Sequence, residues 1–160
     1  MTGPGSVSIR VADDRPSQEA VKELFREYAA GLGFSLDFQD FDREIREFPG
    51  AYAAPGGVLL VAELDGRAMG CVGLRPLDPV SCEMKRLYVR PSSRGHGAGR
   101  QLAERVINEG RSIGYGRMRL DTVPSMAAAI ALYRTLGFYE IPPYRYNPVP
   151  GALYFELRLR

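Results

Sequence analysis

The sequence predicts an α/β (α+β) fold, a single domain in which helices cover a mixed sheet. Three observations carry this. Short runs with alternating or continuous apolar character are interleaved with runs of helical spacing, in the order β α α β β β α β α β β. Asp65-Gly66 stands between two apolar runs and marks a tight hairpin, because a type I′ turn needs positive φ at both central residues. The chain has 160 residues, the length of one domain and enough to bury about two-thirds of the unfolded surface.

The elements follow in order. Met1–Ser6 reads as a flexible lead-in with neither the basic nor the apolar region of a signal peptide, and the domain is expected over 7–160. Val7–Val11 alternates and predicts a first strand. Asp13, Asp14, Pro16 and Ser17 supply helix-start chemistry. Val21, Leu24, Phe25 and Tyr28 then recur at helical spacing until Gly31 and Gly33. A shorter helix fits Asp40–Phe48, with Phe41, Ile45 and Phe48 on one side. Val58–Leu64 and Arg67–Leu74 flank the Asp65-Gly66 turn; Gly70 and Gly73 predict a bulge or a close backbone approach. Pro76–Pro79 reads as a loop, and Ser81–Val89 as a strand ended by Pro91. Ala98–Ile113 is helical, with Leu102, Val106, Gly110 and Ile113 in one stripe. Met118–Thr122 is a short strand and Met126–Leu136 a helix capped by a left-handed Gly137. After a segment rich in proline and tyrosine, Leu153, Phe155, Leu157 and Leu159 alternate with Tyr154, Glu156, Arg158 and Arg160, the pattern of a half-buried strand.

Composition removes several function classes. Hydrophobic residues make up 45% and charged residues 25%, so wholesale disorder is excluded. The net charge of +2 gives no general attraction to nucleic acid or to an anionic membrane. No apolar run approaches the ~20 residues that span a bilayer. Two cysteines, Cys71 and Cys82, do not make a disulfide framework, and a cytoplasmic, reducing setting is the expectation. One histidine, His96, cannot assemble a histidine-based metal site, and no metal is expected.

The informative stretch is Arg94-Gly95-His96-Gly97-Ala98-Gly99, which leaves a strand and opens a helix. Its glycines let the backbone turn tightly and approach a ligand. The helix start offers free N–H groups and the positive end of a dipole, and Arg94 and Arg100 add charge, so the local physics favours a pyrophosphate. The glycine spacing does not match a dinucleotide fingerprint. Gly99 is followed by Arg100-Gln101, not by the Lys-Ser/Thr of a nucleotide-binding P-loop.

This stretch resembles the Arg/Gln-x-x-Gly-x-Gly/Ala motif of the GNAT superfamily of acetyl-CoA-dependent N-acetyltransferases. Cys82–Val89 is similar to that family's fourth strand, and Ala129–Phe138 to its Ala-x-x-Leu-Tyr-x-x-x-Gly-Phe signature. With the element order, the resemblance covers about 7–160; the N-terminal third matches only in pattern. It implies a mixed, mostly antiparallel sheet of about seven strands flanked by about four helices. The implied ligand is acetyl-CoA. Arg94, Gly95, His96, Gly97, Ala98, Gly99 and Arg100 would meet its pyrophosphate. Leu87, Tyr88 and Val89 would lie along its pantetheine arm, with a backbone amide there polarising the thioester carbonyl. Ser125, Ala129 and Tyr133 would line the same path. Met126 stands where many members have an asparagine that contacts the arm.

The resemblance also implies roles. Tyr133 takes the place of the tyrosine that hydrogen-bonds or protonates the leaving thiolate, and Glu83 that of a general base used by some members. The plainer alternatives are a core aromatic for Tyr133 and an exposed carboxylate paired with Lys85 or Arg86 for Glu83. In the family the acceptor pocket is shaped by the two N-terminal helices and by the loop before the last strand. Here that loop holds Tyr144 and Arg145, and Arg145 is placed to take an acceptor carboxylate if it is not simply a surface arginine. The expected reaction is direct attack of a primary amine, from a small molecule or a peptide, on the thioester. A competing reading is a non-catalytic acetyl-CoA sensor acting through a protein partner. Homodimers are common among relatives, so a homodimer is open on analogy alone. No nucleic acid or membrane partner is expected.

Overall fold

The computed structural model describes residues 5–160. Most of the expected lead-in, 1–4, lies outside the described residues. Seven strands form one sheet: β1 (Val7–Val11), β2 (Val58–Leu64), β3 (Arg67–Pro76), β4 (Ser81–Val89), β5 (Arg117–Thr122), β6 (Tyr139–Glu140) and β7 (Leu153–Arg158). Their spatial order is β1-β2-β3-β4-β5-β7-β6. Every neighbouring pair is antiparallel except β4 and β5, which run parallel. The helices are α1 (Arg15–Ala30), α2 (Phe41–Arg46), α3 (Ala98–Ile113) and α4 (Ala127–Thr135).

Two apolar clusters sandwich the sheet. On one side Val21, Leu24 and Phe25 of α1 pack on Leu59, Val61 and Cys71, with Phe41 and Ile45 of α2 at the margin. On the other, Leu102, Ala103 and Val106 of α3 and Tyr133 of α4 pack on Leu60, Val72, Met84, Met118 and Phe155. Alternate residues of β2 therefore enter opposite clusters, which explains why Val58–Ala62 reads as a continuous apolar run.

Local chemistry sets the boundaries. The Asp14 side chain caps α1 by accepting from the Ser17 N–H at 2.7 Å, with Pro16 in the first turn. Asp65 (φ 53°) and Gly66 (φ 77°) make the hairpin turn. Beyond α4, Gly137 (φ 98°) donates to the Arg134 carbonyl and Phe138 to the Tyr133 carbonyl, a Schellman closure. The second helix is shorter than expected: a 3-10 turn, Asp37–Gln39, precedes it, and left-handed Asp40 (φ 55°) separates the two. The last strand is not cleanly half-buried. Tyr154, on its expected solvent side, is covered by Tyr144 at a ring distance of 5.6 Å and donates to the Arg145 carbonyl.

Both strand glycines are close-approach positions. A Cβ on Gly73 would lie 2.6 Å from the Tyr52 ring, and one on Gly70 would lie 2.9 Å from the Tyr88 carbonyl oxygen. Backbone cannot swing aside as a side chain can. Gly70→Ala is therefore expected to destabilise the fold by about 1–3 kcal/mol. Urea unfolding checks this; a midpoint equal to that of the parent protein contradicts the steric account.

Candidate active site

The site begins with a fault in the sheet. Between Cys71↔Tyr88 and Gly73↔Lys85 the β3–β4 register slips by one residue, so β4 carries a bulge. Arg86 sits in it with φ 61°, a left-handed backbone for a long side chain. The bulge breaks the alternation of β4. Lys85 and Arg86, adjacent in sequence, both turn to the α2 side, where each donates to the same Gln39 Oε1, at 2.7 and 2.8 Å. Next to the bulge the sheet also opens. Strand β4 pairs with β5 only over Ser81–Glu83, while β5 pairs with β7 along its whole length. The edge of β4 from Met84 to Val89 is left free of β5.

A groove of about 570 Å³ follows that free edge. One wall is Leu87, Tyr88 and Val89, continuing to Arg94, Gly95, Gly97, Ala98 and Gly99 at the start of α3. Gly95 (φ 92°) and Gly97 (φ 75°) hold the left-handed conformations that this turn requires. Helix α3 has no side-chain cap. Gln101 is the first residue of its ladder to donate back, to the Gly97 carbonyl, so the amides before it are available to an anion. The opposite wall is Ser125, Met126 and Ala127–Ala129 at the start of α4. Of the expected pyrophosphate residues, His96 and Arg100 are exposed and outside the groove wall. Arg100 pairs with Glu104 along its own helix at 3.0 Å.

The resemblance implies a pocket role for the N-terminal helices but names no residue there; at the end of α1, Glu27, Tyr28, Gly31 and Leu32 close the groove. Nothing in that helix marks it, because its inward face reads as core. The run Ala127–Ala129 was a fainter signal: three small residues opening a helix leave room for a ligand beside it.

Tyr28, Leu32, Leu87 and Met126 also line a second, smaller cavity of about 40 Å³, so the two spaces meet at these side chains. The small cavity has apolar sides, including Phe34, Phe38 and Leu120, and a polar lining of Gln39, Lys85, Arg86, Asp121, Thr122 and Asn147. Tyr133 reaches its wall from α4. Burial, with Tyr28 and Asp121 nearby, pushes the Tyr133 phenol above its ordinary pKa, so it remains a proton donor. Lys85 is 4% exposed. Burial pulls its ammonium down to about 8, against the attraction of Glu83 and Asp121.

Glu83, Tyr144 and Arg145 come together, but behind this cavity and not on its wall. Glu83 is fully buried, not an exposed carboxylate; Lys85 attracts it, but its hydrogen-bond partners are not its neighbours on the strand. Its oxygens accept from Tyr144 Oη (2.7 Å), Arg145 Nη2 (2.8 Å) and Arg75 Nε (3.0 Å). Burial alone would raise its pKa; Lys85, Arg75, Arg145 and the Tyr144 hydroxyl outweigh it and hold the carboxyl below its ordinary range. Arg145 thus gives Nη2 to Glu83, keeps a buried Nε without a partner, and lines neither the groove nor the small cavity. Asn147, two residues on, is the part of that segment that reaches the cavity, and it donates to Asp121 Oδ2 at 3.1 Å.

The Glu83 cluster yields a stability prediction. Glu83→Gln leaves two arginines without their shared buried counter-charge and is expected to cost about 3–5 kcal/mol at neutral pH. A carboxyl with a lowered folded pKa contributes stability above its unfolded value, near 4.5, and loses that contribution as pH falls through the folded value. The gap between parent and variant should therefore narrow on acidification below pH 4.5. A gap constant from pH 7 to pH 3 in denaturant titrations contradicts the ionised cluster.

Comparison with known proteins agrees with this geometry. The model of the acetyltransferase (GNAT) family matches residues 19–138. The chain is 38% identical to an uncharacterised N-acetyltransferase of Schizosaccharomyces pombe, over 99% of both sequences. An acetyltransferase structure from Streptococcus agalactiae superposes with a TM-score of 0.77 at 21% identity, covering 96% of this chain and 98% of that one. A Salmonella typhimurium acetyltransferase structure, solved with its cofactor acetyl-CoA, superposes with a TM-score of 0.70 at 23% identity, covering 97% and 95%. The structural likenesses show the fold, the sequence matches show the lineage, and the chain belongs to the GNAT family of acetyltransferases.

Proposed function

We propose that the groove binds acetyl-CoA and that the chain transfers its acetyl group directly to a primary amine held in the small cavity. The observation that carries this reading is the continuity of the two spaces: an anion-ready helix start, a free strand edge and a buried tyrosine lie along one path. Bound acetyl-CoA would supply an activated acyl thioester, the amine taking the acetyl group and the sulfur leaving as the thiol. The residues fit such a ligand. The open amides from Gly95 to Arg100 suit a pyrophosphate. The unpaired edge of β4 at Leu87–Val89 suits an extended arm that adds to it as a strand would. The groove walls at Ala127–Ala129 are small enough to leave the arm its space.

The chain's own groups then divide the work. Backbone N–H donors on the free β4 edge are fixed by the sheet and need no reorganisation to meet a developing oxyanion. Tyr133, held protonated by its surroundings, donates to the departing sulfur. Asp121 is the carboxylate that faces the small cavity and receives the proton of the incoming amine. Glu83 acts as a positioning residue: it anchors Tyr144 and Arg145, and through them the segment that carries Asn147 to Asp121. Direct attack needs no enzyme nucleophile. Neither Cys71 nor Cys82 lines the groove or the cavity; burial raises both thiols, Cys82 to about 12, so neither supplies a thiolate.

Two measurements test this. Acetyl-CoA at about 100 times its Kd should raise Tm by roughly 5–10 °C; no shift with acetyl-CoA or CoA contradicts the donor assignment. Tyr133→Phe should keep that shift and lower kcat about 100-fold, read as thiol release from acetyl-CoA. Unchanged turnover across the pH range removes Tyr133 from the acid role.

A further inference from the structure

The floor of the small cavity has an electrostatic feature that amine acetylation alone does not require. Two buried cations, Lys85 and Arg86, converge on one neutral oxygen, Gln39 Oε1. Arg86 has its own counter-ion, because Glu44 accepts from it with both oxygens at 3.1 and 3.2 Å. Lys85 has no such partner. The nearest carboxylate oxygen recorded for it, Asp121 Oδ1, is 3.7 Å away, beyond hydrogen-bond distance, and the other oxygen of Asp121 is engaged by Asn147. An ammonium group has three donors; Gln39 takes one, and Glu83 and Asp121 attract the charge without accepting a hydrogen bond from it.

Resting on the reading that the groove carries the acetyl donor, we infer that the acceptor is a small amino acid: its carboxylate is received by Lys85 and its amino group by Asp121. A cation and an anion side by side, without a tight bond between them, are complementary to a zwitterion of opposite polarity. The cavity is small, about 40 Å³, room for roughly three water molecules, and suits a compact polar head. The carboxylate on Lys85 fixes the far end of the ligand, and the amino group, once Asp121 has taken its proton, turns to the junction at Tyr28, Leu32, Leu87 and Met126, where the cavity meets the groove. The cationic surplus also suits an anion. Among the groups linked around this floor, the cations are Arg75, Lys85, Arg86 and Arg145 and the carboxylates are Glu44, Glu83 and Asp121.

The experiment compares each of several amino acids with its primary amide and with the amine lacking the carboxyl group, at saturating acetyl-CoA, by thiol release. The parent protein should favour the acid over the amide by at least about tenfold in kcat/KM, the scale of one charge-assisted contact. In Lys85→Met that ratio should fall toward unity. Amides or simple amines that match the acids in the parent protein overturn the inference and point instead to peptide N-termini or polyamines; this arm needs no variant. Where Lys85→Met does not fold, Lys85→Gln, which removes the charge but keeps a donor for Gln39 and leaves Asp121 in place, should show the same collapse; an acid preference that survives in it overturns the role of Lys85. Failure of every acid while acetyl-CoA still raises Tm overturns this inference and leaves the donor groove standing. Failure of the Tm shift itself overturns both.

Discussion

The rest of the site depends on how β4 is held. At one end it is an interior strand, paired on both sides; a few residues later it is bulged against β3 and free of β5. A regular strand would point Arg86 into the cluster beneath α3 and would keep its edge paired with β5, leaving nothing for a ligand to use. The left-handed turn at Arg86 is unfavourable for a residue with a Cβ, by about 1–3 kcal/mol. The surrounding structure holds it. Glu44 and Gln39 bind the guanidinium, and the rings of Phe41 and Tyr28 flank it at 5.2 and 5.9 Å. The short helix α2 and the end of α1 thus act as the clamp that keeps β4 in its irregular shape.

That clamp links the two halves of the site. Arg86 draws α2 and the Asp37–Gln39 turn against the sheet, and the same Gln39 reaches Lys85 on the cavity floor. On the far side of the floor, the segment before β7 is tied down by Glu83 through Tyr144 and Arg145, and it delivers Asn147 to Asp121. Lys85 and Asp121 are each oriented by a side-chain amide, Gln39 and Asn147, that lines the same cavity and is itself tied to the surrounding elements. Such a network keeps donors and acceptors fixed while the apolar walls exclude water, the condition under which electrostatic contacts are strongest.

Much of this was legible in the sequence. The limits of β2, β4 and α3 follow from apolar period, turn residues and the glycine-rich helix start, which are local signals. So does the glycine-rich loop before α3, because Gly95 and Gly97 are needed for their positive φ. What was not legible is long-range. A charged residue on a strand reads as solvent-facing, yet Glu83 is buried because Arg75, Arg145 and Tyr144 arrive from other elements. Lys85 and Arg86 read as one inward and one outward residue; only the bulge puts both on one face. Tyr154 alternates correctly for a half-buried strand, but Tyr144 covers its outer side. His96 lies inside the motif and still points away from the groove, since the sequence marks a loop and not the direction of each side chain.

The central claim is that the start of α3 and the free edge of β4 form one binding surface for the acetyl donor. Amide hydrogen exchange with and without CoA tests it most directly. The account predicts slowed exchange at Gly95–Arg100 and at Leu87–Val89 together, with little change in β1 and the β2–β3 hairpin. Protection absent from those two segments, or confined to other parts of the sheet, would contradict it.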